Sequence, residues 1–228
     1  MKKIARKISQ RYRKMRNIDQ ASGIKIHTQP DLQKLGTNYG GWVIPSSILN
    51  ENSICYCAGV GEDISFDLAL IKNYGCPVYA FDPTPRSKTY VDQNAAGIAE
   101  FHFHPSGIWD ENTTLKFFSP QNSEHVSHSI GNLQNTSDYF EAPCKTIPTL
   151  MQELGHTHIE LLKMDIEGAE YQVIDSIIKD DLCIKCLCVE FHYKPNNTHQ
   201  LRQAVNSLIK CNYKLISVDN YFNYTFLK

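Results

Sequence analysis

Residues 158 to 171, His-Ile-Glu-Leu-Leu-Lys-Met-Asp-Ile-Glu-Gly-Ala-Glu-Tyr, constrain the fold more than any other stretch of the chain. An apolar run (Ile159, Leu161, Leu162, Met164) ends abruptly in Asp165, Glu167 and Glu170, with Gly168 among them. Such a run reads as a strand buried in a parallel sheet, with the acids at its C-terminal edge. In open α/β sheets, ligands bind in the crevice at that edge. Carboxylates placed there are costly unless they hold a ligand, a proton or a metal. Glu167 and Glu170 also have a plainer reading, since acids favour the positive N-terminus of the next helix.

A second stretch, residues 53 to 66, reads Ser-Ile-Cys-Tyr-Cys-Ala-Gly-Val-Gly-Glu-Asp-Ile-Ser-Phe. A strand runs into Gly59-Val60-Gly61, and an amphipathic segment from Asp63 to Tyr74 follows. The glycines permit a sharp turn and close approach of a ligand to the backbone. Pro77-Val-Tyr-Ala-Phe-Asp82-Pro83 is another apolar strand ending in an acid. A carboxylate at that tip is placed to accept hydrogen bonds from ribose hydroxyls, so the pattern points to a nucleoside cofactor.

Which nucleoside follows from what is missing. A dinucleotide fingerprint wants a third glycine where this chain has Ile64, so that helix and strand close round a pyrophosphate. Glu62 and Asp63 would also face the phosphates, where a phosphate site wants no negative charge. S-adenosylmethionine has no phosphate and carries an ammonium and a sulfonium, which acids beside the turn welcome.

These residues resemble the FkbM-type methyltransferase family over roughly residues 36 to 228. The resemblance rests on Tyr39-Gly-Gly-Trp42, Gly59-Val-Gly-Glu-Asp63, Phe81-Asp-Pro-Thr-Pro85, His125-Val-Ser-His128, Leu162-Lys-Met-Asp-Ile-Glu-Gly-Ala-Glu170 and Glu190-Phe-His192. It implies an α/β, Rossmann-like class I methyltransferase fold. The expected sheet is seven-stranded and mostly parallel, with a C-terminal antiparallel hairpin and helices on both faces. It implies S-adenosyl-L-methionine as cofactor, held by Gly59, Val60, Gly61, Glu62, Asp63, Asp82, Pro83, Ile108 and Asp165. It also implies O-methyl transfer to a hydroxylated small molecule, such as a sugar of a polysaccharide, glycolipid or natural product. Trp42, His125, His128 and Glu167 are the expected substrate contacts. Two other readings stand beside it: a catalytically silent adenosyl-cofactor-binding protein and a nicotinamide-dependent oxidoreductase, the latter opposed by Ile64 and the acids at 62 and 63.

At 228 residues the chain suits one domain with a full core. The division expected is a basic leader over 1–35 and a methyltransferase domain over 36–228. A formal net charge of -1 argues against a general nucleic-acid surface. Residues 1 to 16 are the local exception: Lys2, Lys3, Arg6, Lys7, Arg11, Arg13, Lys14 and Arg16, with no acid among them. They suggest peripheral contact with anionic membrane, or a solvated terminus. No apolar h-region follows them, and no stretch approaches the roughly 18 apolar residues of a spanning helix. Eight cysteines invite a disulfide or zinc reading, but Cys55, Cys57, Cys186 and Cys188 fall within apolar strands, and no second pair accompanies Cys183 and Cys186. Free thiols suit a reducing cytoplasm.

Along the chain, strands are expected at 53–58, 77–82, 99–104, 114–118, 159–165, 185–191, 213–218 and 222–227. Helices are expected at 63–74, 85–94, 147–154, 168–179 and 197–211. Residues 119 to 144, rich in Ser, Asn and His, read as one long binding loop, and residues 36 to 50 as a cover over the cofactor site. For chemistry, a hydroxyl acceptor needs alignment and a base. Candidates are Asp165, Glu190 and His192; the imidazole has the suitable unperturbed pKa, with Glu190 orienting it. The same three residues also suit a divalent cation, although no metal is assigned.

Overall fold

The computed structural model describes residues 17–118, 138–220 and 222–228. Seven strands form its main sheet: β3 (Cys55–Ala58), β4 (Val78–Phe81), β5 (Phe101–His104), β9 (Ile159–Met164), β10 (Ile184–Glu190), β11 (Lys214–Asp219) and β12 (Asn223–Leu227). Their spatial order is β11-β12-β10-β9-β3-β4-β5. The five strands from β10 to β5 run parallel, and β12 and β11 complete the sheet antiparallel, as the C-terminal hairpin.

The inner parallel strands β3, β4, β9 and β10 are largely buried on both faces, which is why they read as apolar runs, whereas the edge strand β5 alternates. On one face lie α3 (Ile147–Leu154), α4 (Glu170–Lys179) and α5 (His199–Lys210), whose Leu150, Ile174, Val205 and Leu208 join Leu162, Leu187 and Phe226 of the sheet. On the other, α1 (Ser65–Tyr74) brings Phe66 and Leu70 onto Cys55, Cys57, Leu161, Cys186 and Cys188. These strand cysteines pack as small hydrophobes. Helix α2 (Pro85–Asn94) closes the far end with Val91 against Val60, Ile64 and Ala80. Ile64, at the position where a dinucleotide turn needs glycine, is thus a core residue. Two helix starts follow the capping rules: Thr84 and Thr146 accept from the backbone N–H groups of Ser87 and Thr149, each with a proline just inside the helix.

Two expectations change. The division at residue 35 does not hold for the described part of the leader. Strand β1 (Leu32–Leu35) pairs antiparallel with β2 (Trp42–Pro45), Ala21, Ile24 and Ile26 pack against the main core, and His27 N–H donates to the Leu215 carbonyl. The stretch 119–144 is not one loop: β8 (Tyr139–Lys145) pairs antiparallel with β7 (Thr113–Phe118) and parallel with β6 (Gly107–Ile108). That makes a separate three-stranded sheet. The basic segment 1–16 lies outside the described residues. Among the described residues, no helix is long and apolar enough to cross a membrane.

Candidate active site

A cavity of about 400 Å3 opens over the C-terminal ends of the parallel strands, within the range of small-molecule sites. Three turns build it. Gly59 to Asp63 follow β3, Asp82 to Thr84 follow β4, and Asp165 to Glu167 follow β9; Glu190 closes β10. Tyr39 and Trp42 cover one side from the hairpin region, and Ile108 and Phe117 of the small sheet cover another. The expected cofactor and substrate residues Trp42, Gly59, Val60, Gly61, Glu62, Asp63, Asp82, Pro83, Ile108, Asp165, Glu167 and Glu190 all line this space. His125 and His128 lie outside the described residues.

The glycine turn is shaped by its neighbours. Gly59 has φ +82°, and a Cβ there would stand 1.8 Å from the Asp165 carbonyl oxygen, so no side chain fits between the turn and β9. Asp82 Oδ2 accepts from Val60 N (2.9 Å) and Gly61 N (3.0 Å). Its Oδ1 accepts from Thr84 N (2.8 Å) and Thr84 Oγ1 (2.6 Å). A carboxylate offers about four lone-pair directions, and these donors fill them. Asp82 thereby locks the turn after β3 to the turn after β4 while lining the cavity. Glu62 pairs with Arg86 through two short bonds, 2.7 and 2.8 Å. Asp63 accepts from Thr37 Oγ1 (2.5 Å) and Ser65 N (2.8 Å), tying the covering segment to the helix start. Burial opposes its charge, yet these bonds win and lower its pKa.

At the other end of the cavity, His192 is ringed by carboxylates. Its Nε2 lies 3.3 Å from Glu167 Oε2, 3.8 Å from Asp165 Oδ1 and 4.0 Å from Glu190 Oε1, and its Nδ1 lies 3.5 Å from Glu170 Oε1. Glu170 is fully buried and accepts from Gly168 N (2.8 Å) and His192 N (2.7 Å), so it is the structural acid of the group. Burial alone would lower the His192 pKa, but Glu170, Glu167 and Asp165 together raise it to about 9. Glu190 is pushed up to about 7, first by burial and then by Asp165. His192 therefore stands behind the acids as an imidazolium, while Glu190 faces the cavity. Asp165, Glu190 and His192 each offer one ligand atom within 4.8 Å of the others, a spacing a divalent cation also accepts.

Two lining residues were given no role from the sequence, Lys163 although it stands inside the 162–170 motif and Asp67 because it lies outside every motif. Lys163 is the one polar residue among the buried positions of β9, and its Nζ donates to the Gly59 carbonyl. Asp67, in the first turn of α1, is buried with Oδ1 unpartnered, and burial raises its pKa to about 6 although Lys163 pulls it down. Phe222 and Asn223, before and at the start of β12, were likewise read only as hairpin residues.

The lining suits a cationic nucleoside. Among the described residues, seven carboxylates (Glu62, Asp63, Asp67, Asp82, Asp165, Glu167, Glu190) face the cavity, against one basic residue, Lys163. A diphosphate would meet that field as a like charge, whereas a sulfonium and an ammonium are drawn into it.

Comparison with known proteins agrees. The family model described as the methyltransferase FkbM domain matches residues 53–215, more than half of the chain. Among curated relatives, the probable methyltransferase-like protein 24 of Rattus norvegicus is 23% identical over 127 residues, 56% of this chain and 29% of that protein. The Homo sapiens protein of the same name is 23% identical over 136 residues, 59% of this chain and 31% of that protein. The chain thus spans under a third of the length of these relatives. Similar solved structures include Aeropyrum pernix fibrillarin with natively bound S-adenosyl-L-methionine (TM-score 0.47, 7% identity, 78% of this chain and 66% of that one). Another is the precorrin-6y C5,15-methyltransferase of Geobacter metallireducens (TM-score 0.42, 10% identity, 79% of this chain and 81% of that one). The match over residues 53–215 and the sheet that carries this acidic cavity lead to one conclusion: the chain belongs to the FkbM methyltransferase family, with S-adenosylmethionine as its cofactor.

Proposed function

We propose that this chain is an O-methyltransferase whose acceptor is a hydroxylated small molecule, a sugar of a polysaccharide, glycolipid or natural product. The observation that carries the reading is Glu190: a carboxylate on the cavity wall, its pKa pushed up to about 7 by burial and by the Asp165 and Glu167 charges that share the wall. A hydroxyl is a poor nucleophile until its proton leaves, and a base titrating near the working pH removes it best. His192, with a pKa of about 9, already holds its proton at neutral pH. The base role expected of it from the sequence therefore passes to Glu190.

In this reading Glu190 accepts the acceptor's hydroxyl proton. Asp165 and Glu167 accept hydrogen bonds from neighbouring hydroxyls, and the His192 imidazolium keeps the three carboxylates close without mutual repulsion. S-adenosylmethionine, when bound, supplies an electrophilic methyl group on a good, neutral leaving group. The rest of the task is alignment and exclusion of water, for which Trp42 and Phe222 form apolar parts of the wall. Asn220 and Asn223 add polar groups beside the acids, which suits an acceptor bearing several hydroxyls.

The test is release of S-adenosylhomocysteine by the purified chain with mono- and oligosaccharides as acceptors, followed by mass spectrometry. Binding of S-adenosylmethionine with no turnover on any hydroxyl acceptor would favour a silent adenosyl-binding protein. Calorimetric binding of NAD in preference to S-adenosylmethionine would favour an oxidoreductase.

A further inference from the structure

Two buried charges under the cavity take no part in the chemistry proposed at Glu190. Lys163 sits in the middle of the sheet, its register partners being Cys57 on β3 and Cys188 on β10. It is 7% exposed, faces the cavity, and donates from Nζ to the Gly59 carbonyl. Asp67 approaches from α1 on the same side of the sheet and also faces the cavity. It is 5% exposed, and its Oδ1 has no hydrogen-bond partner among the described residues.

A buried ammonium in an otherwise cysteine-lined layer is expensive, and so is a carboxylate oxygen with no donor. The two do not cancel as a contact ion pair, since none within 4.0 Å joins them among the described residues. Lys163 nevertheless offsets part of the burial penalty on Asp67. Such groups persist where a ligand completes them. The ligand that completes both must present an anion to Lys163 and a donor cation to Asp67 side by side. A lone metal ion would be repelled by Lys163, and a phosphate by Asp67. An α-amino-acid zwitterion satisfies both.

We propose that Lys163 and Asp67 bind the amino-acid end of the cofactor: Lys163 takes its carboxylate, and Asp67 Oδ1 takes its ammonium. This rests on S-adenosylmethionine being the cofactor, and it gives the cavity a direction. The amino acid lies towards α1 and Trp42, and the adenosine towards Pro83, Ile108 and Phe117. The chain then distinguishes the cofactor from other adenosines by charges buried beneath it.

The test is calorimetry on the whole chain with three ligands: S-adenosylmethionine, its decarboxylated form, and 5′-methylthioadenosine, which lacks the amino acid altogether. One charged hydrogen bond corresponds to about a tenfold to hundredfold change in affinity. We expect the decarboxylated form to bind the unaltered chain at least about tenfold more weakly than S-adenosylmethionine. Lys163→Met should abolish that difference, and Asp67→Asn should weaken S-adenosylmethionine by about tenfold. Neither variant should change the affinity for 5′-methylthioadenosine. Equal binding of the carboxylated and decarboxylated forms by the unaltered chain would overturn the proposal, even if neither variant folds. So would S-adenosylmethionine affinity that survives both substitutions. In either case retained 5′-methylthioadenosine binding would leave the adenosyl assignment standing, whereas loss of all three ligands from the unaltered chain would overturn both.

Discussion

Glu190 and His192 stand two residues apart at the end of one strand, and their environments push their proton equilibria in ways that divide the labour between them. Replacing Glu190 by Gln keeps the shape and removes the proposed base, and we expect turnover to fall about 10²- to 10⁴-fold. The rate of the unaltered chain should rise with pH to a plateau with its midpoint near 7, where Glu190 titrates. A midpoint near 9 would return the base role to His192. Stability should run the other way. Both folded pKa values are raised, so each group's contribution is complete below its unfolded pKa and is lost as pH climbs through the folded one. For Glu190 that loss runs from 4.5 to about 7, and for His192 from 6.5 to about 9. Melting temperature should therefore decline from neutral pH to pH 9, and His192→Gln should flatten the upper part of that decline. A chelator tests the alternative use of the same cluster: turnover lost with EDTA and restored by a divalent cation would make Asp165, Glu190 and His192 ligands.

The turns between elements are where the cavity is held in shape. Gly59→Ala forces a methyl group onto the Asp165 carbonyl oxygen and a side chain into positive φ. We expect a loss of at least about 3 kcal/mol in denaturant unfolding, enough to lower the yield of folded chain. Asp82→Ala removes the acceptor of four hydrogen bonds that join two turns. It should lower melting temperature and cofactor affinity together; weakened binding at unchanged stability would point to direct ribose contact instead. Much of this architecture is legible in the sequence, because buried parallel strands must be apolar throughout and must stop where the ligand begins. Ile159 to Met164 followed by Asp165 is the clearest case. Strand β8 escapes notice because Glu141, Pro143 and Lys145 alternate with small or partly buried residues beside a polar stretch. Asp67 escapes because a single acid on an amphipathic helix ordinarily faces water, and only the tertiary packing buries it. The pKa order of Glu190 and His192 is invisible for the same reason: it depends on Glu167 and Glu170, which approach from the following turn and helix.

On the scale of the whole molecule, a near-neutral chain carries a basic beginning and an acidic cavity. The eight basic residues between Lys2 and Arg16 should add salt-sensitive affinity for anionic vesicles, near 1 kcal/mol for each charge close to the surface. Removing residues 1–16 should abolish that affinity and leave cofactor binding unaltered; equal vesicle sedimentation of both forms would refute a membrane role. The cavity, in turn, joins elements far apart in sequence, from Asn38 to Asn223. The most direct measurement is transfer of a deuterium-labelled methyl group from S-adenosylmethionine to a glycan acceptor, read by fragmentation mass spectrometry. We expect a labelled methyl ether on a sugar hydroxyl, formed by the unaltered chain and reduced at least about a hundredfold by Glu190→Gln. Labelled methyl on nitrogen or carbon, or equal transfer by the Glu190→Gln chain, would contradict hydroxyl methylation by this carboxylate.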